Sequence, residues 1–155
     1  MQRIVEQLRK QNKTVSTMES CTGGALVNEI TNIEGASNVL KYSAITYSNE
    51  FKIKMGVSAE IIDKYSVYSL EVAKEMSKQI SLFSDSNYGV GITGKLSRPD
   101  ENNLYGSDNR VFVSIYNKDN DKYHTITIDV NQKDRIQNKQ IIINIIVNTL
   151  IPLIK

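Results

Sequence analysis

Apolar residues change rhythm several times along the chain, and each change predicts an element. Ile4, Val5 and Leu8 fall on one face of a helix over residues 2–11. Thr14–Met18 is β-prone and leads directly into Glu19-Ser20-Cys21-Thr22-Gly23-Gly24, after which Ala25–Thr31 returns to helical spacing. Lys41–Ser48 reads as a strand centred on Ala44, Ile45, Thr46 and Tyr47. Ser58 supplies the N-cap of a short helix ending at Tyr65. Ser69 opens a longer one, in which Val72, Ala73, Met76, Ile80 and Phe83 recur at helical spacing. Tyr88–Thr93 is a short apolar strand stopped by Gly94. Alternation at Val111, Val113 and Ile115, then at His124, Ile126, Ile128 and Val130, predicts two strands. The polar turn Asn117–Asp121 between them makes a hairpin, and phase assigns His124 to the apolar face of its strand. A helix over Asp134–Ile154 closes the chain. Helices early, midway and last, with strands between, predict a three-layer α/β domain, and the hairpin makes its sheet mixed.

Composition narrows the function classes. At 155 residues the chain fits one domain, and no repeat, low-complexity tract or linker divides it. Apolar residues at 40% and charged residues at 23% supply a packed core rather than a disordered chain. Nineteen Lys and Arg against seventeen Asp and Glu leave +2, which is no signal for nucleic acid. The single cysteine forms no internal disulfide, so a reducing cytosol fits. The single histidine excludes multi-His metal sites and makes any Ser–His–Asp reading depend on His124 alone. The first residues lack the apolar run of a secretory signal. The longest greasy stretch, Ile141–Ile154, falls short of the ~20 residues that span a bilayer. A soluble, cytoplasmic protein without a membrane partner is expected.

Three constellations carry candidate chemistry. In Ser20-Cys21-Thr22-Gly23-Gly24, a strand passes into a helix whose unpaired N–H groups favour a phosphate or an oxyanion. Ser20 there is a candidate nucleophile, with Cys21 as its competitor if the thiol pKa is lowered. Alternatively, Ser20 or Thr22 only caps the helix. In Thr46-Tyr47-Ser48-Asn49-Glu50-Phe51-Lys52, Tyr47 and Lys52 are groups able to move protons if burial or a positive neighbour lowers their pKa. A surface lysine and a tyrosine packed by its ring explain the same residues. Gly91-Ile92-Thr93-Gly94 ends a strand at the same sheet edge, where ligands of open α/β sheets gather.

These motifs form an ordered series. Glu19–Gly24 is followed by Gly35-Ala36-Ser37, by Thr46–Lys52 with Met55-Gly56-Val57, by Val67–Ala73 with Met76, and by Gly91–Gly94. The series resembles the CinA C-terminal domain family, competence/damage-inducible proteins that include nicotinamide-nucleotide amidohydrolases, and it covers residues 1–155 as a single domain. The resemblance implies a three-layer α/β/α sandwich with a mixed, mostly parallel sheet. It also implies deamidation of nicotinamide mononucleotide to nicotinate mononucleotide and ammonia, without a cofactor or metal. Carried over by motif, Ser20 is the nucleophile and Lys52 and Tyr47 its proton-transfer partners. Thr22, Gly23, Gly24, Ser37, Thr93, Gly94, Arg135 and Lys139 contact the substrate. The partner implied is a small pyridine nucleotide, and a homo-oligomer is compatible with the series. The alternative is a nucleotide-binding or interaction module with little or no turnover, linked to competence or DNA damage. Lys95–Asn103 replaces the family's Ala-Gly-Pro and glycine-rich loop, and Lys139 follows Arg135 where relatives carry two arginines four apart. The loop change implies a phosphate bound less tightly than in those relatives, with Lys95, Arg98 and Lys139 partly replacing backbone N–H groups by charge. The lysine offers a point charge where arginine offers a planar fork.

Overall fold

Five strands form one sheet in the order β2-β1-β3-β4-β5, in a computed structural model that describes residues 1–131 and 134–154. They are β1 (Val15–Glu19), β2 (Leu40–Ile45), β3 (Tyr88–Gly94), β4 (Arg110–Asn117) and β5 (Lys122–Asp129). β1 pairs in parallel with both β2 and β3, whereas β4 is antiparallel to β3 and to β5. Four of the five strands therefore point the same way, and the β4–β5 hairpin supplies the mixed character.

Alternation along the strands builds a different layer on each face. On one face, Val15, Val90, Ile92, Val113 and Ile115 meet α1 (Gln2–Lys10), α2 (Ala25–Thr31) and α6 (Arg135–Leu150). On the other, Met18 packs with Val72, Met76 and Ile80 of α5 (Leu70–Ser84) and with Ile62 of α4 (Ala59–Tyr65). α5 lies directly on β3 because that strand presents glycines to it. A Cβ on Gly89 would stand 1.9 Å from the Ser77 carbonyl oxygen, and one on Gly91 would stand 2.4 Å from that of Ala73. A side chain at either position would force the helix off the sheet.

Ser58 and Ser69 cap α4 and α5, accepting from Ile61 N–H and Val72 N–H. A short helix, α3 (Asn49–Lys54), follows β2 where the pattern predicts strand as far as Ser48, and Ser48 is its N-cap. The closing helix stops at Leu150, and Ile151–Leu153 tightens into a 3-10 turn around Pro152.

His124 corrects the phase argument. It pairs opposite Ile115 on the correct strand but is exposed, since β5 is an edge strand in which only Ile128 is buried. Alternation sets the face of a strand, while helix cover sets its burial.

Candidate active site

The parallel strands β1, β2 and β3 all end at one edge, and the Ser20 turn is built there. Ser20 N–H donates to the Ile92 carbonyl at 3.0 Å and Thr46 N–H to the Glu19 carbonyl at 2.8 Å, so pairing runs one residue beyond each strand. The Glu19 carboxylate, fully buried, accepts from the Thr22 hydroxyl at 2.7 Å, Leu26 N–H at 3.1 Å and Val27 N–H at 2.9 Å. It thereby locks the turn to the first residues of α2. Gly24 closes the turn with φ +93°, a left-handed conformation in which a Cβ would also strike Ile45 at 2.9 Å.

Lys52 reaches this turn from α3. Its backbone N–H donates to the carbonyl of the cap residue Ser48, and its side chain runs back over the strand ends, 1% exposed. Nζ donates to Ser20 Oγ at 3.0 Å and to the Thr46 carbonyl at 2.7 Å. Burial lowers the Lys52 pKa to about 8, against partial support for the charge from Cys21 and Asp100. Burial acts in the opposite sense on the neighbouring thiol and pushes Cys21 up to about 12, despite the opposing charges of Lys52 and Arg135. Ser20 Oγ therefore has an amine of lowered pKa at hydrogen-bond distance, while burial favours the thiol form of Cys21.

A cavity of about 720 Å³ opens over the pair. Ser20, Cys21, Tyr47, Lys52, Gly94 and Arg135 reach it, so the two strand-end constellations and the end of β3 meet in one place. Tyr47 stands at the exposed margin, 66% accessible, rather than inside. Arg135 also donates to the Leu96 carbonyl at 3.4 Å.

Other sequence-predicted site residues lie elsewhere, each for a physical reason. Thr22 is buried beneath the turn, its hydroxyl spent on Glu19. Gly23 and Gly24 shape the turn outside the cavity lining, and the Lys139 ammonium lies 3.5 Å from where a Gly23 Cβ would stand. The N–H groups of Leu26 and Val27, which α2 would offer to an anion, already serve the Glu19 carboxylate. Thr93 is fully buried and donates to the Val67 carbonyl at 2.9 Å, tying the start of α5 to the end of β3. Ser37 is exposed in the 3-10 turn Ala36–Asn38 before β2, at the sheet end opposite the cavity. That end is fixed by Val15 N–H donating to the Val39 carbonyl.

Tyr68, Lys95 and Asp100 also line the cavity. The Tyr68 hydroxyl donates to Asp100, and the buried Lys95 ammonium bonds Asp108 at 3.1 Å while lying 5.2 Å from the centre of the Tyr68 ring. Tyr68 carried two signals, its place in the Val67–Ala73 motif and its position just before the Ser69 cap of α5. Nothing local announces Asp100.

A buried serine–lysine pair at the ends of the parallel strands of an α/β domain is an arrangement capable of nucleophilic chemistry. The chain belongs to the CinA C-terminal domain family, whose pattern it matches over residues 1–153. A putative competence-damage inducible protein of Clostridium botulinum (strain Langeland) is 46% identical over 92 residues, 59% of this chain and 22% of that protein. A CinA-like protein of Flavobacterium psychrophilum is 37% identical over 109 residues, 70% of this chain and 26% of that one. The chain thus spans well under half the length of these relatives. The fold matches the competence/damage inducible protein CihA of Agrobacterium tumefaciens at a TM-score of 0.88 and 24% identity, covering 99% of this chain and 92% of that one. It matches a competence or damage-inducible protein of Enterobacter asburiae at 0.89 and 18% identity, covering 99% and 94%. Among the described residues, no helix is long and apolar enough to cross a membrane.

Proposed function

We propose that the chain is an amidohydrolase that converts nicotinamide mononucleotide to nicotinate mononucleotide and ammonia. The observation that carries this reading is the buried Lys52 Nζ at 3.0 Å from Ser20 Oγ. With a pKa near 8, about a tenth of Lys52 is neutral at pH 7 and able to accept the serine proton. Ser20 Oγ attacks the carboxamide carbon as its proton passes to Lys52. The tetrahedral intermediate collapses when the C–N bond breaks and the Lys52 ammonium returns that proton to the departing nitrogen, which leaves as ammonia. Water, deprotonated by Lys52, then attacks the nicotinoyl–Ser20 ester, and Ser20 recovers its proton as the nicotinate is released.

Ser20 N–H is committed to Ile92, so it is not an oxyanion donor. The backbone N–H of Cys21, a residue of the cavity lining, donates to no backbone carbonyl among the described residues and is the donor assigned to the oxyanion. Arg135 and Arg98, both lining the cavity, supply charge for the phosphate.

Ammonia release from nicotinamide mononucleotide, beside nicotinamide and nicotinamide riboside, tests the reading. Turnover of the mononucleotide, strongest of the three, is expected. Tight binding of the mononucleotide without ammonia release would replace it with a nucleotide-binding module.

A further inference from the structure

The deamidation chemistry uses Ser20 and Lys52 but leaves Asp100 without a task. Its carboxylate lines the same cavity and is held by three neutral donors. The Tyr68 hydroxyl and Asn103 Nδ2 donate to Oδ2, the latter at 3.0 Å, and Asn102 N–H donates to Oδ1 at 3.0 Å. These bonds, that from Tyr68 foremost, hold the carboxyl below its ordinary pKa. No lysine or arginine among the described residues forms an ion pair with it: the nearby Lys95, whose charge also favours the ionised carboxylate, is paired with Asp108. The other charged groups at the lining are Arg98, Glu101 and Arg135. An ionised carboxylate fixed by neutral donors keeps its charge for whatever enters. Its field reaches the reacting pair, because Asp100 favours the charged form of Lys52.

Resting on the amidohydrolase reading, we propose that Asp100, oriented by Tyr68, selects substrates whose carboxamide is carried by a permanently cationic pyridinium ring. The ring nitrogen of an N-ribosylated nicotinamide is quaternary, whereas free nicotinamide and the reduced dihydropyridine ring are neutral. With the carboxamide carbon at Ser20 Oγ, the ring sits beside the Lys52 end of the cavity, where the Asp100 charge acts. Opposite charges a few ångströms apart at a partly screened site separate affinities by about tenfold or more. The substrate then meets two poles, Asp100 for the ring and the arginines for the phosphate.

The test measures binding of nicotinamide mononucleotide and of its reduced, neutral-ring form, with turnover of the former, in the wild type, Asp100→Asn and Tyr68→Phe. The wild type should prefer the oxidised nucleotide by on the order of tenfold. Asp100→Asn should raise its KM by a similar factor and bind both forms alike, while the pH profile of kcat moves to lower pH because Lys52 loses a charge that favours its protonated form. Tyr68→Phe, which frees the carboxylate without removing it, should lose part of the preference. Equal binding of the two forms by the wild type overturns the proposal, whatever the fold of the variants. So does an unchanged preference in a folded Asp100→Asn, or an effect confined to kcat and its pH profile, which would make Asp100 a positioning residue for Lys52. Failure of both nucleotides to bind the wild type removes the amidohydrolase reading and this inference together.

Discussion

The cavity has two unlike parts. The strand-end part, around Ser20 and Lys52, is anchored on main-chain groups of the sheet: Ser20 N–H on Ile92, Thr46 N–H on Glu19, and the Lys52 side chain on the Thr46 carbonyl, with the Glu19 carboxylate locking the turn. The loop part, from Lys95 to Asn109, has main-chain bonds such as Lys95 N–H on Arg110 and Asn103 N–H on Asp100. To these it adds a set of side-chain contacts, with Tyr68 on Asp100, Asn103 on Asp100 and Lys95 on Asp108. Main-chain positions are set by the sheet register and tolerate sequence change. Side-chain contacts depend on which residues a particular chain carries. Under the proposed function, chemistry falls on the first and recognition on the second, a division by which one scaffold can keep a reaction while changing what it grips.

The sharpest way to break this division is at the nucleophile. Ser20→Ala should reduce ammonia release to background with an unchanged melting temperature, while Cys21→Ala retains activity within about threefold, because a thiol with a pKa near 12 contributes no thiolate. Dead Cys21→Ala with active Ser20→Ala would reverse the assignment.

Lys52→Met should lower kcat by about 10²–10⁴-fold, the range for a lost proton-transfer group. In the wild type, kcat/KM should rise with pH through about 8 and then level, as Lys52 becomes neutral. Stability follows the same group. Between pH 8 and the ordinary lysine value of 10.5, the folded chain binds fewer protons at Lys52 than the unfolded chain, so its unfolding free energy grows with pH there. Relative to Lys52→Met, the wild type should gain about 2 kcal/mol between pH 7 and 9.5. The opposing drift of Cys21 is common to both proteins. Denaturant unfolding at the two pH values measures the gain, and a flat difference would mean that Lys52 is not desolvated.

The strand-end part was legible because its signals are local. Glu19–Gly24 places Ser20 between a strand and a helix within six residues, and the serine caps at 58 and 69 announce their helices. α3 was not legible as a helix. Its one buried residue is Lys52, while Phe51 and Ile53 are exposed, so it offers no apolar period. The Ser48 cap was its only signal. Asp100 and Tyr68 lie 32 residues apart, and their meeting depends on a loop path that no periodicity encodes. Ser37 shows the reverse error, in which a motif match suggested proximity that the start of β2 prevents.

A smaller effect is expected at the phosphate end. Arg135→Ala should raise KM by about tenfold with little change in kcat, and affinity for nicotinamide mononucleotide should fall steeply with added salt, because exposed side-chain charges are screened. Calorimetry across a salt series checks it. Tight, salt-insensitive binding would mean that backbone N–H groups hold the phosphate after all.

The smallest effect separates the two readings of Tyr47. The motif makes it a proton-transfer partner, which implies a large loss for Tyr47→Phe. Its position argues otherwise: it is 66% exposed at the cavity margin, while the Lys52 hydrogen bonds go to Ser20 and Thr46. Removing a hydroxyl that lies outside this proton path should lower kcat by less than about threefold, with any remaining change in KM, since uniform binding alone is lost. Steady-state kinetics at pH 8, with a melt to confirm folding, decides between them. A drop as large as that of Lys52→Met would place Tyr47 within the reacting groups, and the margin of the cavity would then have to close over the substrate before chemistry begins.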